Sequence, residues 1–597
     1  GDGGLYAELI ANRSFGYYDR KEEIDKSKMC WEVLGDINFT IQSENPRNEI
    51  QKQYAYIKGQ KNEGLRNTGY GKEGFAIKKD GIFDFSCYAK ADAPSNILVQ
   101  ITNGLGEIYA SQELCVNQEQ WAQYKVELYT EKEMKHAYLE IVFAEGGEIY
   151  LDYVSLFPRD TYNNRANGMR RDLVEALKDI SPKFLRFPGG CIVEGRSFSN
   201  MYNWKETIGD VTERRINWNR WQMEEYQPGN HDSSDYFQTY GLGYYEYFLL
   251  CEDLGAKPVP VMNAGMTCQW HEGLLVPVNE LEPWINDVLD LIEFANGDSK
   301  SKWGKIRADM GHEEPFHLEY IGIGNEQWGQ VYFERYEAFY KVISEKHPEI
   351  KLITSAGWTA EGKDFDVAVE WMKANKEKAY AVDEHFYKSP EWFLENIERY
   401  DTYDRSMPKV FAGEYAAHTK GEVLERKNNW YTALTEAAFL TGVEKNSDHV
   451  VMTCYAPLLA KVGHQQWQPN LIWFDNSSCY GTPSYYVQKL FSNIIGDELV
   501  ETITEDKDIK VSGSVTKDGL RLIIKAVNIS EVDKNIHIII DRFVGKTTKH
   551  TICSDLSYEN SCENPQNVIP VTTELEVFHK DQLIKGHSVV VYEIELL

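Results

Sequence analysis

Long apolar runs are absent. The 597 residues hold no uninterrupted apolar stretch of about 18, the least that crosses a hydrocarbon layer, so no membrane partner is expected. An excess of positive charge is absent too. Lys and Arg number 63 against 93 Asp and Glu, a formal net charge of -30. Such a surface repels phosphate backbones and argues against nucleic acid as a partner. The ten cysteines (30, 87, 115, 191, 251, 268, 454, 479, 553, 562) contain no C-x-x-C pair, which removes zinc-knuckle spacing. Cys553 and Cys562 are close enough to meet across a turn; most of the others read as buried thiols. No internal repeat, low-complexity tract or signal peptide is visible. The sequence opens abruptly at "GDGGLYAELI", so a segment upstream of Gly1 is expected, and localisation is left undecided.

Aromatic residues are plentiful at 13%, with 37 Tyr and 15 Trp. Their flat faces stack on sugar rings, although they also fill cores. The chain is too long for one core, so two to four domains are expected.

From about Ser181 to Leu459 short apolar runs alternate with amphipathic stretches. The runs are "KFLRFPGG", "KPVPVMNAG", "LEYIGIGNE", "IKLITSAG", "YAVDEHFY", "PKVFAGEYA" and "HVVMTCYAPLL". Between them lie helical patterns such as "GYYEYFLLCEDLGA" and "NWYTALTEAAFLTGV". Repeated strand–helix units imply a parallel sheet, and these seven strands are one short of a (β/α)8 TIM barrel. The flanks differ. Residues 29–158 alternate polar and apolar with Gly and Asn turns, as in a β-sandwich, and the stretch after about Asp497 is again all strand. The expected division is α/β: 1–28 as the start of the barrel, 29–158 as an inserted β-sandwich, 159–490 as the barrel, and 491–597 as a C-terminal β-sandwich.

In a parallel barrel the C-terminal strand ends carry the chemistry. Here they end in Asn325-Glu326, Glu414-Tyr415, His385 with Tyr387, Cys191 with Glu194, and Asn263. Two carboxylates at strand ends suit hydrolysis of a glycosidic bond. One donates a proton to the leaving oxygen, and the other stabilises or traps the oxocarbenium-like centre. A separation of about 5–5.5 Å would make the second a nucleophile and retain configuration. Arg186 follows an apolar strand and is expected to orient Glu414. Trp328 and Trp467 are candidate cleft walls, or plain packing. His385 is either a structural histidine or a support for the Glu414 region; His418 and His464 are weaker candidates. A metal chelate of His385, Asp383 and Glu384 is disfavoured because adjacent strand residues face opposite ways.

The segments "GGLYAELIANRSF", "LRFPGGCIVEG", "IGIGNEQWG", "DEHFY" and "FAGEYAAH", in this order, resemble glycoside hydrolase family 51, the retaining α-L-arabinofuranosidases. The resemblance covers about 1–28 and 158–597. It implies Glu326 as acid/base, Glu414 as nucleophile, Asn325 as a donor to the sugar 2-hydroxyl and Tyr387 as a residue of subsite −1. The implied substrates are arabinose-containing polysaccharides or oligosaccharides such as arabinan and arabinoxylan. No cofactor is implied for catalysis, and a homo-oligomer is compatible. Another glycosidase specificity in the same fold, β-xylosidase or endo-glucanase, is one alternative; a non-catalytic polysaccharide-binding protein is another.

There are departures. The family's first barrel strand, with a substrate-binding Glu, would precede Gly1, and Glu8 should not be mistaken for it. Cys191 stands where an Asn often follows "PGG", and Pro457 stands where the eighth strand often carries a Gln, whose contact "HQQWQPN" would have to supply. The insert resembles a carbohydrate-binding module of the family 4 and 9 type, through its strand pattern and its ending "GGEIYLDYVSLFP". Its candidate platform aromatics are Tyr54, Tyr56, Tyr70, Tyr88 and Trp121. Such modules often hold a structural calcium, with no ligand set readable here.

Overall fold

The computed structural model describes residues 2–18, 25–221 and 236–597. Seven parallel strands form its centre: Phe184–Phe187, Lys257–Met262, Tyr320–Ile323, Lys351–Ser355, Ala381–Lys388, Lys409–Ala417 and Val450–Tyr455. They pair in that order. The strands are buried on both faces, as helix-covered parallel strands are. Val259, Ile353, Ala381 and Phe411 cluster inside the sheet, packed by Phe184, Tyr320 and Tyr380. Helices such as Tyr244–Leu254, Glu282–Asn296 and Gln330–Lys346 lie between consecutive strands. The architecture is that of a TIM barrel, of which the described residues supply seven strands, with a gap, the seam, between the first and the last. The Phe184–Phe187 and Val450–Tyr455 strands are the two ends of the sheet and do not pair with each other.

Two five- and six-stranded antiparallel sheets fill Trp31–Pro158 and close on a core of their own, with Ile57, Phe85, Val99, Leu139 and Leu151 at its middle. Residues 2–18 run between this sandwich and the barrel. Glu8 is buried there. It accepts from Ser155 Oγ at 2.6 Å and from the backbone N–H of Leu156 at 2.9 Å, and it pairs with Arg13 at 3.3 Å. These contacts staple the segment to the sandwich, which is a structural use of the carboxylate. A six-stranded and a two-stranded sheet make up the C-terminal part.

The helix Trp430–Lys445 is buried nearly all round. A helix apolar on every face is a core helix, and this one lies between the barrel and the C-terminal sheet. Trp430 Nε1 reaches the His587 carbonyl at 2.7 Å, and Lys525 pairs with Glu444. All ten cysteines are free thiols, Cys553 and Cys562 included; both are exposed, and the turn does not join them.

Candidate active site

The strand Tyr320–Ile323 leaves the barrel through Gly324, whose φ is +80°. Two residues on, Glu326 itself holds φ at 50°. A glutamate gains nothing locally from the left-handed region, so the surroundings impose that strained conformation. It leaves Asn325 and Gln327 buried on either side while the Glu326 carboxylate reaches the cavity.

Glu414 is aimed by a different device. Pairing of Ala381–Lys388 with Lys409–Ala417 slips between Asp383 and His385, so that His385 lies opposite Glu414. Such a bulge re-aims the side chain that follows it. Gly413 sits at the slip. A Cβ there would lie 1.9 Å from Asp383 Oδ1, so the position needs glycine. The Cys454 thiol donates to the Gly413 carbonyl at 2.9 Å.

Both oxygens of Glu414 are held. Arg186 Nη1 donates to Oε1 at 2.9 Å, and the Tyr387 hydroxyl donates to Oε2 at 2.7 Å. The other Arg186 terminal nitrogen holds Asn325 Oδ1 at 2.6 Å and Asp383 at 3.3 Å. This occupies the Asn325 oxygen and leaves its Nδ2, among the described residues, with only a long contact, 3.8 Å, to Cys191 Sγ. Burial and the neighbouring Glu414 push the Tyr387 hydroxyl well above its ordinary pKa, so it stays a donor.

Among the described residues Glu326 has two hydrogen-bond partners. His385 Nδ1 lies 3.0 Å from Oε1, and the Cys191 thiol donates to Oε2 at 3.4 Å. The same His385 Nδ1 is 3.6 Å from Glu414, while Nε2 is 3.2 Å from Asp383. Burial works against the imidazolium, but the Glu414 and Asp383 carboxylates outweigh it and raise the His385 pKa to about 10. His385 is therefore cationic at neutral pH. Oxygens of Glu326 and Glu414 approach within 4.8 Å of each other, with this imidazolium beside both.

The carboxylates open on a cavity of about 1570 Å³. Its walls include Trp270, Trp358, Gln466 and Trp467, and it continues down the seam past Phe184, Met452 and Phe491. The volume therefore belongs to the sugar-sized pocket and the seam together. The Trp467 ring packs 5.6 Å from Tyr387 and 5.5 Å from His418. Trp328 does not reach the wall; its ring lies 5.5 Å from Trp270, which does. Asn263, read from the sequence as facing a ligand, is turned elsewhere. Its Oδ1 accepts from the N–H groups of Gly265 and Met266 at 2.8 and 3.0 Å, and its Nδ2 donates to the Val193 carbonyl at 3.2 Å. A side chain with all its hydrogen bonds spent on a turn positions loops.

Residues 176–405 match the α-L-arabinofuranosidase 1 domain, and residues 413–585 match the α-L-arabinofuranosidase C-terminal domain. Alpha-L-arabinofuranosidase 2 of Arabidopsis thaliana is 32% identical over 610 residues, spanning 98% of this chain and 85% of the relative. The chain belongs to the family 51 α-L-arabinofuranosidases. An extracellular exo-α-L-arabinofuranosidase of Streptomyces chartreusis is 38% identical over 529 residues, 86% of this chain; the match spans 60% of that relative's length. The solved arabinose-bound family 51 enzyme MgGH51 superposes with a TM-score of 0.89 at 26% identity, over 100% of this chain and 96% of that one.

As a family 51 α-L-arabinofuranosidase the chain has features that sequence reading missed. Asp383, weighed only as a metal ligand, braces Arg186 and His385. Glu436, buried on the helix Trp430–Lys445, accepts from the Ala417 N–H at 2.9 Å and from Ser484 Oγ at 2.6 Å, anchoring the end of the Glu414 strand. The only signal for it was a carboxylate in the buried middle of a helix. Gln466 is 6% exposed, and among the described residues neither its Oε1 nor its Nε2 has a partner; the Trp467 Nε1 has none either. Buried polar atoms lining a cavity without partners are what sugar hydroxyls would satisfy. They lie in "HQQWQPN", close to Pro457, which also lines the cavity.

In the insert, Tyr54 and Tyr70 are buried, and Arg47 lies over the Tyr88 ring at 4.5 Å. Tyr56, Tyr150 and Lys90 stand in register across three strands. Lys90 Nζ lies 5.1 Å from the Tyr150 ring and 4.9 Å from that of Trp121.

Proposed function

We propose that the chain releases terminal non-reducing α-L-arabinofuranosyl residues with retention of configuration. The observation that carries this is the approach of the Glu326 and Glu414 oxygens to within 4.8 Å, close to the spacing of a nucleophile and its acid/base partner and too short for a water to sit between them as inversion requires. Glu414, oriented by Arg186 and Tyr387, attacks the anomeric carbon while Glu326 protonates the departing oxygen. The carboxylate becomes an ester of the sugar. Glu326, now a base, takes a proton from water, which displaces Glu414. The Asn325 Nδ2 is the amide atom left to donate to the sugar 2-hydroxyl, and Gln466 and Trp467 offer further donors.

The substrates in view are the arabinose-bearing side chains of arabinoxylan and arabinan. In the insert, Tyr56, Trp121 and Tyr150 around Lys90 form the surface best suited to stack on a polysaccharide. Replacing Trp121 and Tyr150 by Ala should weaken retention on insoluble arabinoxylan and leave nitrophenyl arabinofuranoside hydrolysis unchanged. A panel of nitrophenyl glycosides tests the specificity. Turnover confined to the α-L-arabinofuranoside supports this reading, turnover of a β-xyloside or β-glucoside alone replaces it, and no turnover leaves a binding protein.

A further inference from the structure

Cys191, Glu194 and Cys268 come together below Glu326, from loops that follow two different strands. One ligand-type atom from each lies within 4.8 Å of the others, and all three side chains are buried. We propose that they form a binding site for a thiophilic divalent cation such as Zn2+, placed so that occupancy disables the neighbouring acid/base.

Tetrahedral zinc, with bonds of about 2.3 Å to sulfur and about 2.0–2.2 Å to oxygen, sets neighbouring ligand atoms about 3.5–3.8 Å apart. The triad needs only a small closure to reach that. Its scaffold is rigid. The Gly195 N–H donates to the Cys191 carbonyl at 3.1 Å, and the Cys268 N–H donates to the Gly195 carbonyl at 3.0 Å. Asn263 ties the Val193 carbonyl between them.

A second observation points to a ligand. Glu194 is 2% exposed, and its Oε2 has no partner among the described residues. A disulfide between the two cysteines would leave that carboxylate as it is, whereas a cation would satisfy it. The charges also fit: two thiolates and a carboxylate carry three negative charges, and a divalent cation with the Arg220 guanidinium carries three positive. Arg220 Nη2 lies 3.6 Å from Cys268 Sγ, as a donor to a bound thiolate would. The sequence concealed this site because its cysteines are far apart and show no zinc-knuckle spacing.

Ligation would release the Cys191 thiol proton to solvent. That thiol is 3.4 Å from Glu326 Oε2, so the bound state would remove a donor from Glu326 and set a dication beside it. The dication would draw the Glu326 carboxylate toward itself and off its line to the leaving oxygen.

The test uses the full chain, stripped with a chelator and reduced. Co2+ should bind with one equivalent per chain and give a sulfur-to-metal charge-transfer band that Zn2+ displaces. Zn2+ should abolish hydrolysis of a nitrophenyl arabinofuranoside, and chelator should restore it. Both Cys268→Ser and Glu194→Gln should lose most of the band and resist Zn2+, the second being isosteric in case the first fails to fold. Three results would overturn the proposal: no charge-transfer band (as when the ion sits at Glu326, His385 and Glu414, which offer no sulfur), a band of equal strength in both variants (a thiolate site elsewhere), or two thiols missing from the denatured, metal-free protein before reduction, which would mark a Cys191–Cys268 disulfide.

Discussion

Tyr387 and Glu414 are joined by a hydrogen bond of 2.7 Å, donated by a phenol that burial keeps protonated. A bond to a charged acceptor contributes about 1.5–3 kcal/mol, so Tyr387→Phe should lower kcat/KM by about 10- to 150-fold. The phenyl ring keeps its packing on Trp467 and His418, so thermal stability should change little. A large loss of stability with unchanged kinetics would make Tyr387 a packing residue.

The two carboxylates should separate by leaving group. With Glu326→Ala, a good leaving group departs without a proton, so glycosylation survives while deglycosylation slows by about 10²–10⁴-fold. Azide needs no base and should restore turnover as the α-arabinosyl azide, the product of two inversions. With Glu414→Ala, leaving-group quality should rescue nothing, and azide should yield the β-product by a single inversion. The reverse pattern, read by NMR of the products, would exchange the roles.

Much of this site was legible because barrel chemistry collects at strand ends, and Glu326, Glu414, His385, Tyr387 and Arg186 all lie at them. Strand alternation also separates Asp383 and His385 from Glu384, which faces Arg399 and Tyr403 on the other side. Where side-chain direction depends on a loop, sequence position misled. Asn263 ends a strand as Asn325 does, yet a turn consumes it. Trp328 follows Glu326 by two residues, but the strained backbone at Glu326 turns the indole toward Trp270. Cys268 and Glu436 were invisible as parts of the site, since their partners come from distant segments. The seven strands, the inserted sandwich and the C-terminal sheets were readable from periodicity.

His385 sets a pH dependence of stability. Its folded pKa, about 10, lies above its ordinary 6.5. A cation stabilised by folding contributes fully below pH 6.5, and the contribution drains away as pH rises to 10. The stability deficit of His385→Gln should therefore be largest below pH 6.5, shrink steadily above it and level off beyond 10. Urea midpoints across that range would show it; a deficit independent of pH would mean that His385 is not charged in the folded protein.

Glu436 adds a second dependence at lower pH. Burial raises its pKa from 4.5 to about 7, despite the hydrogen bonds from Ser484 and Ala417 that favour the charged form. The folded state therefore prefers the protonated carboxyl. That preference is full below pH 4.5 and gone above about 7. Glu436→Gln should remove this component of the fall in stability between those values. If the slope there is unchanged, the group is already ionised in the fold.

Gly413 gives the two carboxylates a shared footing. A methyl group there would press on Asp383, which holds both Arg186 and His385, and through them Glu414 and Glu326. One added carbon would therefore disturb the attacking group and the proton donor together. Selection on the chemistry thus reaches a residue that has no side chain of its own.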